Sequence, residues 1–531
     1  MMRRPSRRRF IGDVGYGMLV ASVGAGVVEE MGFAAPPELD EARLDFGSLE
    51  PLVALLQETE PSKLLRVLVE RLQKGLPLKS MVSAAALANA RTFGGEDYIG
   101  FHTMMALAPA YRMSSELPTH LQALPVLKVL YRNTNRIQEF GGREREVLRK
   151  VSLDNVPASN LPMRVSPESL REAVRNRDTA KAEWIFASLV QGTDADSATL
   201  NIALNSALMC VEDEAEVHRV ALPYRAWDLL SIVGMEHAHT MLRQSIRYCV
   251  KAGKMSHGPD NESPSTLLPR LIDEFHLDRE PAPTKNVDSQ WVRNFAETLF
   301  HSTASNAAHA TAAAIAEGVV GDAIGRGITL AANQLVLRDR GRAPKEEQLG
   351  KPIGSVHGDS IGVHATDSAN AWRNLSNHAD AKNRVACLIL GAYQVAYDRV
   401  SRGGDFLHWD AMPVRNSIDR ITQSDPSLLL SQLDEAIKNN LQSQSASVIA
   451  RYGQLGHDPK LAFDCMLKYA VSEDGALHAE KYYRTVREEF EAAAPEHRWE
   501  FAISLARVTA SEYGRQAAGY QEAVELLAKP T

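Results

Sequence analysis

Sixteen histidines are spread through 531 residues, and several stand where a loop runs into a helical pattern. His102, His237, His364 and His478 each follow a glycine by two or three positions. Glycine lets backbones approach closely, and a helix starting beside the ring can fix its orientation. Imidazole is a metal ligand and a general acid or base near neutral pH, so residues of this kind are candidates for a site. The stretch Gly354–Arg402 carries His357 and His364 in a Gly-rich loop, then a helical pattern through Trp372 and Arg373, then a second helix containing Arg399. The segment Glu236-His237-Ala238-His239 offers three ligand types in four residues. In a regular helix, positions i and i+2 diverge by about 200°. His237 and His239 therefore reach one ion only if Gly234 keeps the stretch irregular. Imidazole with carboxylate suits Fe, Zn or Mn, which makes His237, His239 and His364 the candidate metal ligands. His102, His237, His239, His364 and His478 are the candidate catalytic residues, with Arg373 or Arg399 holding an anionic group. His301 and His309 are eight residues apart, or about 12 Å along a helix, and cannot grip one ion directly.

The elements that must position these residues are helices. Apolar spacing at three and four residues recurs from Leu64–Leu72 to the C-terminal segments, and no period-two alternation appears. Ser166-Pro167 is a strong helix start, and residues 251–287 are rich in Pro, Ser and charge. The expected fold is all-α, a large multi-helical array. It divides into a helical region over 35–250, a linker or surface excursion over 251–287, and a second helical region over 288–531. His-Thr-Met recurs at His102 and His239 with a Tyr nine positions after each His, and looser versions surround His364 and His478. An internal duplication would explain this. Four helices each led by a histidine would assemble one site, because ligand sites in bundles come from facing helices. There is no G-x-S-x-G elbow and no P-loop, and the glycines of Gly321–Gly327 follow a helical stretch instead of a strand.

The N-terminus reads as an address. Ser6-Arg7-Arg8-Arg9-Phe10-Ile11 fits the twin-arginine export pattern, and the Gly-rich run Val14–Val28 is too short and soft for a stable span. Small residues before Ala34 place cleavage after it, giving a signal over 1–34 and a periplasmic or otherwise exported protein. A retained anchor is the other outcome. The partner implied is the twin-arginine translocation machinery, with a small-molecule substrate for the mature chain. The mature chain has a net charge of −9, from 54 basic and 63 acidic residues, which argues against nucleic acid as a partner. No later stretch reaches the length of a membrane span. The four cysteines are far apart in apolar helical patterns and read as buried, reduced thiols.

HRVALPYRAWDLLSIVGMEHAHTMLRQSIRYCV and IGVHATDSANAWRNL resemble segments of exported bacterial proteins similar to the questin oxidase-like family. The matching positions are His237, His364, Thr366, Arg399 with Gly403, and His478 with Lys481. The resemblance implies an all-helical oxidoreductase, because the family's named activity is NADPH-dependent, Baeyer–Villiger-type oxygenation of an anthraquinone. Two departures bear on activity: a paired-His helix is reduced to His102, and the family's H-A-V-T-S has become His364-Ala365-Thr366-Asp367-Ser368. The competing expectation is a non-catalytic helical scaffold or binding protein in which these histidines are core hydrogen-bonders. Convergence of at least three of His102, His237, His364 and His478 on one pocket separates the two.

Overall fold

The computed structural model describes residues 42–153, 164–190, 197–257, 261–278, 284–349, 351–358, 360–401, 403–475 and 478–529. The twin-arginine pattern, the apolar run after it and the cleavage position lie outside these residues. Among the described residues there are 23 α-helices, from α1 (Glu50–Glu58) to α23 (Tyr520–Leu527), and no strand or sheet. The expected all-α class is what the chain adopts. None of the described helices is long and apolar enough to cross a membrane.

Small side chains set the closeness of the packing. Helix α3 (Leu78–Phe93) is buried at every position from Met81 to Phe93. Its alanines let α1, α4 (Tyr98–Ser114), α5 (Leu124–Phe140) and α9 (Val217–Val233) all lie against it. Such a helix has no solvent face, so its pattern shows no amphipathic stripe. Helices α14 (Gly321–Arg338) and α15 (Ile361–His378) pack closely along their lengths. At Gly362 an added Cβ would stand 2.7 Å from the Val336 nitrogen, so only glycine permits this approach. Trp372 of α15 is buried against α16 (Ala381–Ser401), and its indole nitrogen donates to Gln394 Oε1 at 2.7 Å.

The stretch 251–287 contains a helix, α11 (Pro264–Glu274). Its Leu267, Leu268 and Leu271 are buried toward α13 (Ala304–Ala316) and α16, at the spacing of one helical face. In α3, fully buried Arg91 is neutralised by Glu50 at 2.7 Å and Glu146 at 3.0 Å. Arg43 also reaches Glu146, at 2.6 Å, so the charges are paired rather than stranded. The four cysteines are free; Cys210, Cys249 and Cys387 are buried and Cys465 is partly exposed.

Four helices close a ring at the centre of the chain's histidine pattern. Helix α4 packs on α9, α9 on α15, α15 on α21 (Ala479–Ala492), and α21 back on α4. Each of the four carries a histidine near its N-terminal end.

Candidate functional site: four imidazoles at a helix junction

His102 lies in the second turn of α4. The helix is started by Asp97, whose carboxylate accepts from Gly100 N at 2.7 Å and is held by Arg136. His218 is the second residue of α9, whose N-cap is Glu216, accepting from Arg219 N at 3.1 Å. His364 is in the first turn of α15, and His478 is the N-cap residue of α21. His478 is fixed by Gly475, which has φ +54° and where a Cβ would meet Ala479 Cβ at 2.4 Å.

The rings form a closed quadrilateral. Centroids are 4.9 Å apart for His102–His218, 5.9 Å for His218–His364, 4.9 Å for His364–His478 and 5.2 Å for His478–His102. His102, His364 and His478 are buried, and the His218 side chain is 13% exposed. The inner nitrogens face each other in pairs: Nε2 of His102 and His218 at 3.3 Å, and Nε2 of His364 and His478 at 3.1 Å.

The outer partners fix two tautomers. His102 Nδ1 lies 2.7 Å from the Tyr98 carbonyl oxygen, which can only accept, so Nδ1 carries the hydrogen. Burial, then the charge of Lys481 and the neighbouring imidazoles, pushes His102 well below its ordinary pKa, so the ring is neutral and its Nε2 is a bare lone pair. His218 Nδ1 lies 2.7 Å from Glu216 Oε1. Burial would raise that carboxyl, but the hydrogen bond and charge of His218 outweigh it and hold Glu216 at about 2. Glu216 is therefore ionised and His218 Nδ1 is also a donor. Tyr248 donates its hydroxyl to Glu216 Oε2 at 3.0 Å, completing the carboxylate's shell. The bare His102 Nε2 faces His218 Nε2 at 3.3 Å, so a proton or a cation belongs between them.

A small cavity of about 10 Å³ opens beside the rings, room for one water-sized group. His218, His364 and His478 line it together with Tyr224, Asp367 and Lys481. Burial pushes the Lys481 amine down to about 8, against the pull of Asp367. Burial likewise raises Asp367, which accepts from Thr485 Oγ1 at 2.8 Å. Both faces of proton exchange are thus close to the imidazoles, an amine that can lose a proton and a carboxylate that can take one.

Of the residues picked out in the sequence, the structure brings His102, His364 and His478 together. It places His237 and His239 elsewhere. His237 ends a short 3₁₀ turn after Gly234 and meets Phe46 edge-on at 5.8 Å. His239 is inside α10 (Ala238–Lys251) and stacks on Phe186 at 5.3 Å. The expected metal set His237, His239 and His364 is therefore not assembled, because the first two rings pack on different partners, Phe46 and Phe186. Arg373 is nine residues beyond His364, about 13 Å along α15, and is bound to Glu489 at 3.0 Å. Arg399 donates to the Ser302 carbonyl at 2.8 Å. Neither arginine lines the cavity. His218, Glu216 and Tyr248 were not among the sequence candidates. The signal for them was a carboxylate and an imidazole two apart at a helix start, Glu216-Val217-His218.

Metal fit can be tested on distances. Two imidazole nitrogens on one ion at about 2.1 Å stand about 2.9–3.4 Å apart for bond angles from square to tetrahedral. Both Nε2 pairs have that spacing. Among the described residues, no group of three or more His, Cys, Asp or Glu already meets the geometry for an ion. The two pairs have to close on each other, chiefly across the 5.9 Å His218–His364 edge. Each pair has the spacing of two ligands on one ion, whereas the four rings as placed do not converge on a single point. No family model, curated protein or solved structure matches the chain. The site accordingly stands on its own geometry.

Proposed function

We propose that the chain is an exported oxidoreductase built on one transition-metal ion held by Nε2 of His102, His218, His364 and His478. The observation that carries this reading is the facing Nε2 atoms of His102 and His218, aimed inward by the contacts of their Nδ1 atoms with the Tyr98 carbonyl and Glu216. A neutral imidazole whose outer nitrogen donates to a carbonyl or carboxylate is the arrangement that orients a metal-bound histidine. Imidazole ligands suit Fe, Cu, Zn and Ni. A redox-active ion there would exchange electrons with a small oxidant. The oxidoreductase class comes from the resemblance to questin oxidase-like proteins.

The chain's own residues supply the rest. Glu216 balances positive charge at the ring of helix N-termini. Lys481 and Asp367 hold or release a proton at the cavity wall. The cavity has room for about one water-sized group and none for a three-ring quinone, so the substrate that fits it is a small oxidant.

A second reading keeps the cluster as a structural core in which His218 is protonated and shares its proton with His102. The small size of the cavity favours it. Elemental analysis of protein exported by its own signal, and of purified protein reloaded with Fe(II), Mn(II) or Zn(II), decides between them. About one ion per chain is expected, lost in His364→Ala/His478→Ala. A folded chain that takes up none of the three would leave the structural core as the surviving reading.

A further inference from the structure

We propose that the cavity beside the four rings is a binding site for one monovalent anion of halide size, held between Lys481 and Arg225. This goes beyond the metal reading and does not rest on it. The spacing along the chain puts the two cations there. Lys481 follows His478 by three residues in α21, Arg225 follows His218 by seven in α9, and Asp367 follows His364 by three in α15. Steps of three and seven return to the same side of a helix, so each charged group lines the cavity with its histidine. Arg225 and Lys481 are 3% and 4% exposed, so neither charge is met by bulk water.

Hydrogen bonds and charge both leave a place for an anion. Arg225 Nη2 donates to Thr485 Oγ1 at 3.1 Å, and Thr485 donates to Asp367 Oδ1 at 2.8 Å. Arg225 Nη1 is buried without a hydrogen-bond partner. Among the described residues, the Lys481 ammonium makes no hydrogen bond. Two cations therefore line the cavity against one carboxylate, Asp367. The carboxylates behind them are engaged elsewhere. Asp228, 3.9 Å from Arg225 Nη1, is paired with Arg112, and Glu488 with Arg484 at 2.8 Å. Glu216 lies beyond the His218 ring, its oxygens held by His218 and Tyr248. An unmatched buried charge is costly, and here the surplus is positive. A water accepts from Lys481 and donates to Asp367, but it leaves that charge unmet. A halide ion only accepts, carries one negative charge and is little larger than water, which suits a space of about 10 Å³.

The test is thermal unfolding of chelator-stripped protein in sodium chloride, with sodium gluconate at equal ionic strength as the reference. Gluconate is too large for the cavity. A ligand that binds only the folded chain raises the midpoint steadily with the logarithm of its concentration. Wild type should melt higher in chloride than in gluconate, and Lys481→Met should lose the difference. Asp367→Asn keeps an acceptor for Thr485 and removes the competing negative charge, so its chloride response should begin at about tenfold lower concentration. That variant decides the matter if Lys481→Met fails to fold. Wild type melting equally in the two salts overturns the proposal and leaves the metal reading standing. A chloride response that survives in Lys481→Met, or that begins no lower in Asp367→Asn, places the ion elsewhere and overturns it as well.

Discussion

Two regions of this protein are rich in histidine, and only one of them builds a cluster. At the start of α10, Glu236, His237 and His239 are neighbours in sequence and part company in space, toward solvent, Phe46 and Phe186. At the junction of α4, α9, α15 and α21, four histidines from separate parts of the chain meet ring to ring. Sequence proximity on a helix counts against convergence unless the spacing is three, four or seven. Distant residues that each start a helix converge when those helix ends meet. The difference teaches that the position of a histidine within its helix is a better guide to a site than local density.

The largest effect that would sharpen this contrast is on metal content. His102→Ala or His364→Ala should weaken metal binding by more than the roughly 10–100-fold typical of changing a ligand's outer partner. His237→Ala and His239→Ala should leave it unchanged. Competition with a chelator measures both. Equal losses in the two regions would break the comparison.

Next in size is Glu216→Gln, which keeps the shape of the side chain and removes its charge. It should cost roughly 10–100-fold in metal affinity, since it acts through His218. An unchanged affinity would mean that Glu216 serves only as the N-cap of α9.

A third effect separates stability from chemistry at adjacent positions. Lys481 faces the cavity, whereas Glu480 points away and pairs with wholly buried Lys128 at 2.7 Å. Lys128 also donates to the carbonyls of Ala470 and Glu473. Lys128→Met strands the Glu480 charge and should destabilise the fold by about 3–5 kcal/mol in denaturant titration. Metal uptake by the folded variant should be unchanged.

The helical class was readable because apolar spacing of three and four recurs along nearly the whole chain. The Ala-rich helix α3 was readable from composition instead, since small residues without a polar face need neighbours on all sides. Three of the four clustered histidines were also readable, from a glycine shortly before each ring. His218 was not, because no glycine precedes it and its marker is the Glu216 cap, a pattern that many helix starts share. His237 shows the converse error. Gly234 does break the helix before it, at φ +115°, but the turn after it aims the ring at Phe46. Which way a helix end faces depends on tertiary packing, and no local pattern encodes it. The helix α11 in 264–274 was hidden by the prolines and charges around a short apolar face.

The smallest expected effect is on acid stability, and it again sets the two regions apart. His239 is held down to about 3 by burial and by the charge of Arg243, while the same ring in an unfolded chain titrates near ~6.5. The folded state therefore binds fewer protons between these values. Stability contributed by the neutral ring is fully present above about pH 6.5 and is lost as pH falls toward 3. His239→Phe cannot take up that proton and keeps the stacking on Phe186, so its stability should fall less steeply over this window. His102 is depressed in the same direction, but replacing it also removes a candidate ligand, so only the His239 variant isolates the titration. Denaturant unfolding at about pH 7.5 and about pH 4.5, either side of the unfolded-state value, should show a smaller difference for His239→Phe than for wild type. Metal content should be equal at the higher pH. If the pH dependence is unchanged, His239 is not the buried neutral base its surroundings describe.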